Sequence, residues 1–171
     1  FVWNNADWWR DKMLAEEYAR YNGRYDLSPT WRWINRRALE LSDLVIACSP
    51  WVKATHAKIV PEERIRTVFW GVDSQRFQSR PIPISSTLRV LFMGSDPVRK
   101  GLIYLLNAME PLERILLTIA GCQVNVHAAL QGRVRCLGMV PNDKVPALMQ
   151  EHDCIAIPTL EDGIACSIQE G

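Results

Sequence analysis

CIAIPTLEDGIACSIQEG, running from Cys154 to Gly171, carries the pattern of an open α/β sheet. Its apolar opening, Cys154 to Ile157, has strand length, and a tight polar loop carries it into residues that suit the start of a helix. Strand, loop and helix in that order make a βα turn. In open α/β sheets, ligands sit in the crevice at the carboxyl ends of the strands. At a helix start, the N–H groups of Ile164, Ala165 and Cys166 favour an anion, and Gly163 lets the backbone approach it closely. Asp162 and Glu170 stand eight positions apart. Glu170, two helical turns along, falls on the same side of the helix as the loop, where it can accept hydrogen bonds from sugar hydroxyls. The arrangement suits a nucleotide sugar. In isolation the same letters read equally as a polar turn before a solvated helix, so the choice rests on the rest of the chain.

Working upstream, LRVLFMGSDPVRKG, Leu88 to Gly101, is a second turn of the same kind. A mostly apolar strand ends on Gly94, and a polar loop closes on Arg99 and Lys100 just before an apolar-periodic helix, Leu102 to Met109. Lys is a compact donor suited to phosphate oxygens. The Lys precedes its Gly and no Ser or Thr follows, which excludes a Walker P-loop. The three spaced glycines of a dinucleotide fingerprint are also missing. A lone Lys-Gly at a helix start is more often a solvated first turn than a ligand site. One cationic and one acidic βα turn in a single sheet make a stronger case.

Taken with LSDLVIACSPWVK (Leu41 to Lys53), FWGVDSQRF (Phe69 to Phe77) and LGMVPNDKVPALMQEHDCIAIP (Leu137 to Pro158), these turns resemble the second domain of retaining glycosyltransferases of family 4, which have the GT-B architecture. The resemblance implies two Rossmann-like parallel-sheet units, both incomplete here. Residues 1–77 would be the end of an acceptor-side domain, 78–87 a linker, and 88–171 the first part of the donor-binding domain. It also implies transfer of a sugar from a nucleotide-diphosphate-sugar to an acceptor with retention of configuration. The donor is a substrate, and neither a separate cofactor nor a metal is implied. By the same resemblance Gly94 and Lys100 flank the donor pyrophosphate, Glu170 meets the ribose hydroxyls, and Asp162 stands near the donor sugar. Lys100 and Asp162 are the residues expected to carry catalysis. The expected donor-binding set is Gly94, Ser95, Arg99, Lys100, Asp162, Gly163, Ile164, Ala165 and Glu170.

The chain departs from the family pattern at several positions. Ser95 stands where an Arg usually follows the strand-end Gly, and Arg99 is expected to supply part of the missing charge. The first acid of the motif is Asp162 rather than Glu, with Glu161 beside it; the register counted from Glu170 selects Asp162. Ile164 and Ala165 replace the usual small turn residues, a change that backbone contacts can absorb.

Composition fits a soluble α/β enzyme: 171 residues, 48% hydrophobic and 23% charged. A net charge of +1 gives no reason to expect nucleic acid or bulk membrane attraction. No apolar run approaches membrane-spanning length, and no signal peptide is visible. The five cysteines, Cys48, Cys122, Cys136, Cys154 and Cys166, show no metal or redox spacing. Their odd number, with no glycosylation sequon, suggests a reducing cytoplasm and no disulfide. Peripheral membrane association through regions outside this chain is left open, as are the acceptor's class (carbohydrate, lipid or other) and the donor's sugar and base. Cys48 and Cys154, in strand-like runs, are expected to be small buried hydrophobes.

Residues 6–22 and 30–42 read as helices separated by Asn22 to Pro29, with Ser28 or Thr30 as N-cap. LVIAC is a strand, Ser49 to Ile59 a helix opening on Ser-Pro, and Ile65 to Phe69 a strand parallel to the first. The Pro- and Ser-rich stretch Gln78 to Thr87 reads as a linker. Beyond it, apolar runs at 88–93, 115–120, 133–137 and 154–158 interleave with helices, the pattern of a doubly wound sheet. Five of the seven tryptophans fall in the first 33 residues. They are expected to pack against further parts of their domain rather than to form a sugar platform, and to leave many aromatics exposed in this chain. His152 shares a helical face with Val145, Leu148 and Met149 and reads as a core-edge residue; His56 and His127 carry no clear signal. No nucleophile stands out. Two other readings stay open: a sugar-nucleotide epimerase of the same architecture, which would need a general base that the chain does not offer, and a noncatalytic nucleotide-sugar-binding subunit. As a fragment, the chain is expected to be inactive alone.

Overall fold

Alternation within the second half of the chain explains why its strands form a sheet covered on both faces. In β3 (Leu88–Met93), Val90 and Phe92 point one way and Leu91 and Met93 the other, as the two-residue period of a strand requires. β3 lies between β4 (Ile115–Ala120) and β6 (Cys154–Ile155), and β4 pairs in turn with β5 (Val134–Gly138). All pairings are parallel, in the order β5-β4-β3-β6. On one face, Val90, Phe92, Leu117 and Ile119 pack with Leu102, Leu106 and Met109 of α4 (Leu102–Met109). On the other, Leu91 and Ala120 meet Leu148 of α5 (Val145–Gln150). A sheet apolar on both faces is the expected state for parallel strands joined by helical crossovers.

The computed structural model describes every residue except Phe1, Trp3, Asn22, Arg24, Asp26, Leu27 and Ile82. The expectation for Trp3 and much of the Asn22 to Pro29 turn therefore lie outside the described residues. The chain divides into two units, residues 1–71 with 160–165, and residues 72–159 with 166–171. The division falls ahead of the Gln78 to Thr87 stretch read as a linker, and residues 72–87 go with the second unit.

The first unit holds α1 (Asp7–Arg20), α2 (Pro29–Leu41), β1 (Val45–Ala47), α3 (Pro50–His56) and β2 (Ile65–Thr67). β1 and β2 are parallel, and Val45, Ala47, Cys48, Val52, Val60 and Ile65 form their core. Both Ser-Pro signals work as caps: Ser28 Oγ accepts from Trp31 N at 3.4 Å, and Ser49 Oγ from Val52 N at 3.2 Å. Among the described residues, no helix is long and apolar enough to cross a membrane.

One packing expectation needs correction. Cys48 is buried but Cys154 is exposed, because β6 spans only two residues at the sheet's edge and Cys154 opens it. The expectation that aromatics stand exposed in this part of the chain is met by the tryptophans of α2. Trp31 and Trp33 are 58% and 66% exposed, and α2 has no buried residue, because its polar side, Arg32 and Asn35, is the one bonded to Asp11 and Asp7 of α1. His152 is buried as expected. Its Nδ1 donates to the Leu148 carbonyl at 2.7 Å, and its Nε2 lies 2.8 Å from Thr118 Oγ1.

Candidate functional site

The turn after β3 is built by its own polar residues. Asp96 Oδ1 accepts from Arg99 N and Asp96 O from Lys100 N, each at 3.0 Å, so one acidic residue closes the loop from both its side chain and its backbone. Gly94 N donates to Ala120 O at 2.9 Å, which carries the ladder one residue past the strand. The space above Gly94 is filled by the Lys100 stem: a methyl group placed on Gly94 would stand 2.9 Å from Lys100 Cγ. The lysine stem thus packs directly over the strand-end glycine. Ser95 is exposed. Arg99 Nε lies 3.7 Å from Asp96 Oδ2, so the guanidinium proposed to replace the missing arginine shares its charge with a carboxylate of the same turn.

Gly101 joins this turn to the one that follows β6. Its φ of +69° is the left-handed region, and a methyl group there would overlap the Pro158 carbonyl oxygen and stand 2.9 Å from its carbon. Thr159 Oγ1 donates to the Arg99 carbonyl at 3.2 Å. Because β3 and β6 are parallel neighbours, both turns leave the same edge of the sheet, and these two contacts lock them together. At the opposite edge the strand starts are tied by Arg89 and Asp153. Asp153 accepts from Arg89 N at 2.7 Å, from Nε at 3.1 Å and from the terminal guanidinium nitrogen at 2.8 Å. These bonds hold the Asp153 carboxyl down at about 2.

The acidic loop is placed differently. Residues 160–165 belong to the first unit, whereas Glu170 lies in the second, half-buried on α6 (Cys166–Glu170), a helix of five residues. Asp162 and Ile164 are half-buried, and Gly163 and Ala165 are buried. Gly94, Arg99 and Lys100 belong to the second unit with Pro158 and Thr159, and Asp162 to Ala165 belong to the first. Glu161, passed over in favour of Asp162, is 1% exposed and bonded to Asn5. Nothing in the letters Glu-Asp separates an inward from an outward carboxylate. Gly101 was legible in principle, since a glycine just before an apolar-periodic helix is a candidate for positive φ. Among the described residues, no group of His, Cys, Asp and Glu could hold a metal ion. The five cysteines are free thiols, and partial burial pushes that of Cys122 up.

Residues 87–171 match the family model described as Glycosyl transferases group 1. A search of curated proteins gives no match. Solved structures share the fold. Sucrose-phosphate synthase from Thermosynechococcus elongatus superposes with a TM-score of 0.73 at 18% identity, over 95% of this chain and 44% of that one. Anabaena HepE, solved in complex with UDP-glucose, gives 0.63 at 18% identity, over 78% of this chain and 43% of that one. TarM from S. aureus, in a complex with fondaparinux, α-GlcNAc-glycerol and UDP, gives 0.64 at 12% identity, over 87% and 31%. The chain spans less than half the length of each of these three.

Proposed function

We propose that this chain, which carries a glycosyl transferases group 1 domain over residues 87–171, serves in the transfer of a sugar from a nucleotide-diphosphate-sugar to an acceptor with retention of configuration, in the manner of family 4. The observation that carries the reading is the turn after β3. A strand-end glycine packed under a lysine, at the carboxyl edge of a parallel sheet and pinned to the neighbouring βα turn, is a rigid mount for a cation. Such a mount suits a diphosphate. Bond cleavage in the donor leaves negative charge on the leaving diphosphate, and Lys100, held against Gly94, meets that charge as it grows. Arg99 adds a smaller share because Asp96 stands beside it. Asp162 is assigned to the donor sugar and Glu170 to the ribose hydroxyls, with the leaving phosphate assisting attack by the acceptor on the same face of the sugar.

The test separates the two charged roles. In the full-length enzyme, calorimetric titration with UDP and UDP-glucose measures binding, and UDP release in the presence of candidate acceptors measures turnover. Lys100→Ala lowers turnover more than affinity, because its partner charge develops in the transition state. Glu170→Gln weakens binding with turnover nearly unchanged, because a ribose contact is similar in both states. The reverse pattern refutes the assignment. Tight binding by the full-length enzyme with no glycoside product from any acceptor class, or an epimerised donor as product, refutes the transferase reading.

A further inference from the structure

Glu161 has the most deeply buried carboxylate among the described residues, and it sits beside the acid that sequence reasoning selects. A carboxyl group out of water is tolerated only where hydrogen-bond partners surround it. Here Oε1 accepts from Asn5 Nδ2 at 3.1 Å and Asn5 N at 3.4 Å, and Oε2 lies 3.6 Å from Arg10 Nε. Asn5 is itself 3% exposed. Its amide nitrogen also donates to the Asp162 carbonyl at 3.1 Å, so Glu161 fixes the rotamer of the side chain that holds the next peptide. Ser49 Oγ, the cap of α3, donates to the Gly163 carbonyl at 2.8 Å, and Ile164 packs on the Val45 and Val52 core. All of these residues belong to the first unit.

The consequence follows from peptide geometry. No peptide bond among the described residues is cis, so each N–H points opposite to the carbonyl of the same peptide plane. Capturing the carbonyls of Asp162 and Gly163 therefore turns the N–H groups of Gly163 and Ile164 away from Asn5 and Ser49. We propose that Glu161 is a positioning residue: through Asn5 it sets the plane of the Asp162–Gly163 peptide, so that the Gly163 and Ile164 amides are presented to a ligand with anionic oxygens, a nucleoside diphosphate. This rests on the donor-binding reading above. It adds a first-unit residue that touches no ligand yet determines how the loop meets one.

The experiment uses backbone amide NMR of the whole chain. In the wild type, UDP shifts the Gly163 and Ile164 resonances, and their order parameters are about 0.85, those of a rigid backbone. Glu161→Leu, which removes the acceptor, drops them below about 0.6 and weakens UDP about tenfold, while β3 and β4 amides keep their values. Glu161→Gln keeps an oxygen for Asn5 and restores most of both readouts. Asn5→Ala reproduces the Glu161→Leu result, and so tests the same link should the leucine variant fail to fold. Unchanged order parameters in Glu161→Leu or Asn5→Ala, or a Gln variant no better than Leu, overturns the proposal. UDP that shifts Gly94 and Lys100 but neither Gly163 nor Ile164 also overturns it, and leaves the donor reading standing. UDP that shifts no resonance sinks the donor reading, and the order parameters still decide whether Glu161 holds the loop.

Discussion

Gly101→Ala tests the joint between the two βα turns. The substitution has two separable costs. The first is conformational: holding alanine at a φ of +69° costs roughly 1–2 kcal/mol. The second is steric: the new methyl group overlaps the Pro158 oxygen, so one turn must move by about an ångström and the Thr159 to Arg99 hydrogen bond, worth about 1 kcal/mol, is strained or lost. Adding the repacking of a close backbone contact brings the total to roughly 3–5 kcal/mol, a large share of a typical domain's stability. Gly132→Ala is the control. It has a φ of +79° but nothing within 4 Å of the added methyl group, so it bears the conformational cost alone. The stabilisation that alanine gives by restricting the unfolded chain is common to both variants and cancels in their difference. The second unit contains no tryptophan, so urea unfolding is followed by far-UV circular dichroism. The expected excess of Gly101→Ala over Gly132→Ala is about 2–3 kcal/mol, with UDP affinity lost in parallel. Equal midpoints for the two variants would show that the turns are not locked at this point, and the account of Gly101 would fail.

Phe92→Ala empties the centre of the larger core cluster, where the ring is wholly buried, and should cost about 3–5 kcal/mol in the same unfolding assay. A loss below about 1 kcal/mol would show that the sheet face is loosely packed. Asp153 gives a pH prediction. Its folded pKa, about 2, lies below the ordinary value of 3.8, so its contribution is fully present above that ordinary value and is lost as pH falls toward 2. Asp153→Asn should flatten the acid limb of the stability curve between about pH 5 and 2 and leave the neutral region less stable. An unchanged acid limb would refute the role given to the Arg89 pair.

Much of the second unit was legible because its information is local. A strand ending in glycine, a turn closed by Asp96 and a helix with apolar residues at helical spacing occupy adjacent positions, and the structure gives β3 as Leu88–Met93 and α4 as Leu102–Met109, matching the runs read from sequence. Capping by Ser28 and Ser49 was legible for the same reason, since cap and capped amide are three residues apart. The exposure of Cys154 was not, because an apolar letter states a preference for burial and only the arrangement of neighbours decides whether it is met.

The amino-acid sequence by itself determined a parallel α/β chain with a cationic βα turn at Gly94 to Gly101 and an acidic one at Asp162 to Glu170. Hydrophobic period, caps and turn residues act over a few positions and survive being read one segment at a time. Only the tertiary structure decided which acid of the Glu161–Asp162 pair turns inward, what holds the loop, and why residue 101 must be glycine. Asn5 meets Glu161 across 156 positions, and Gly101 meets Pro158 across 57. Contacts at such separations depend on how the intervening elements pack, and adjacent letters carry no record of them.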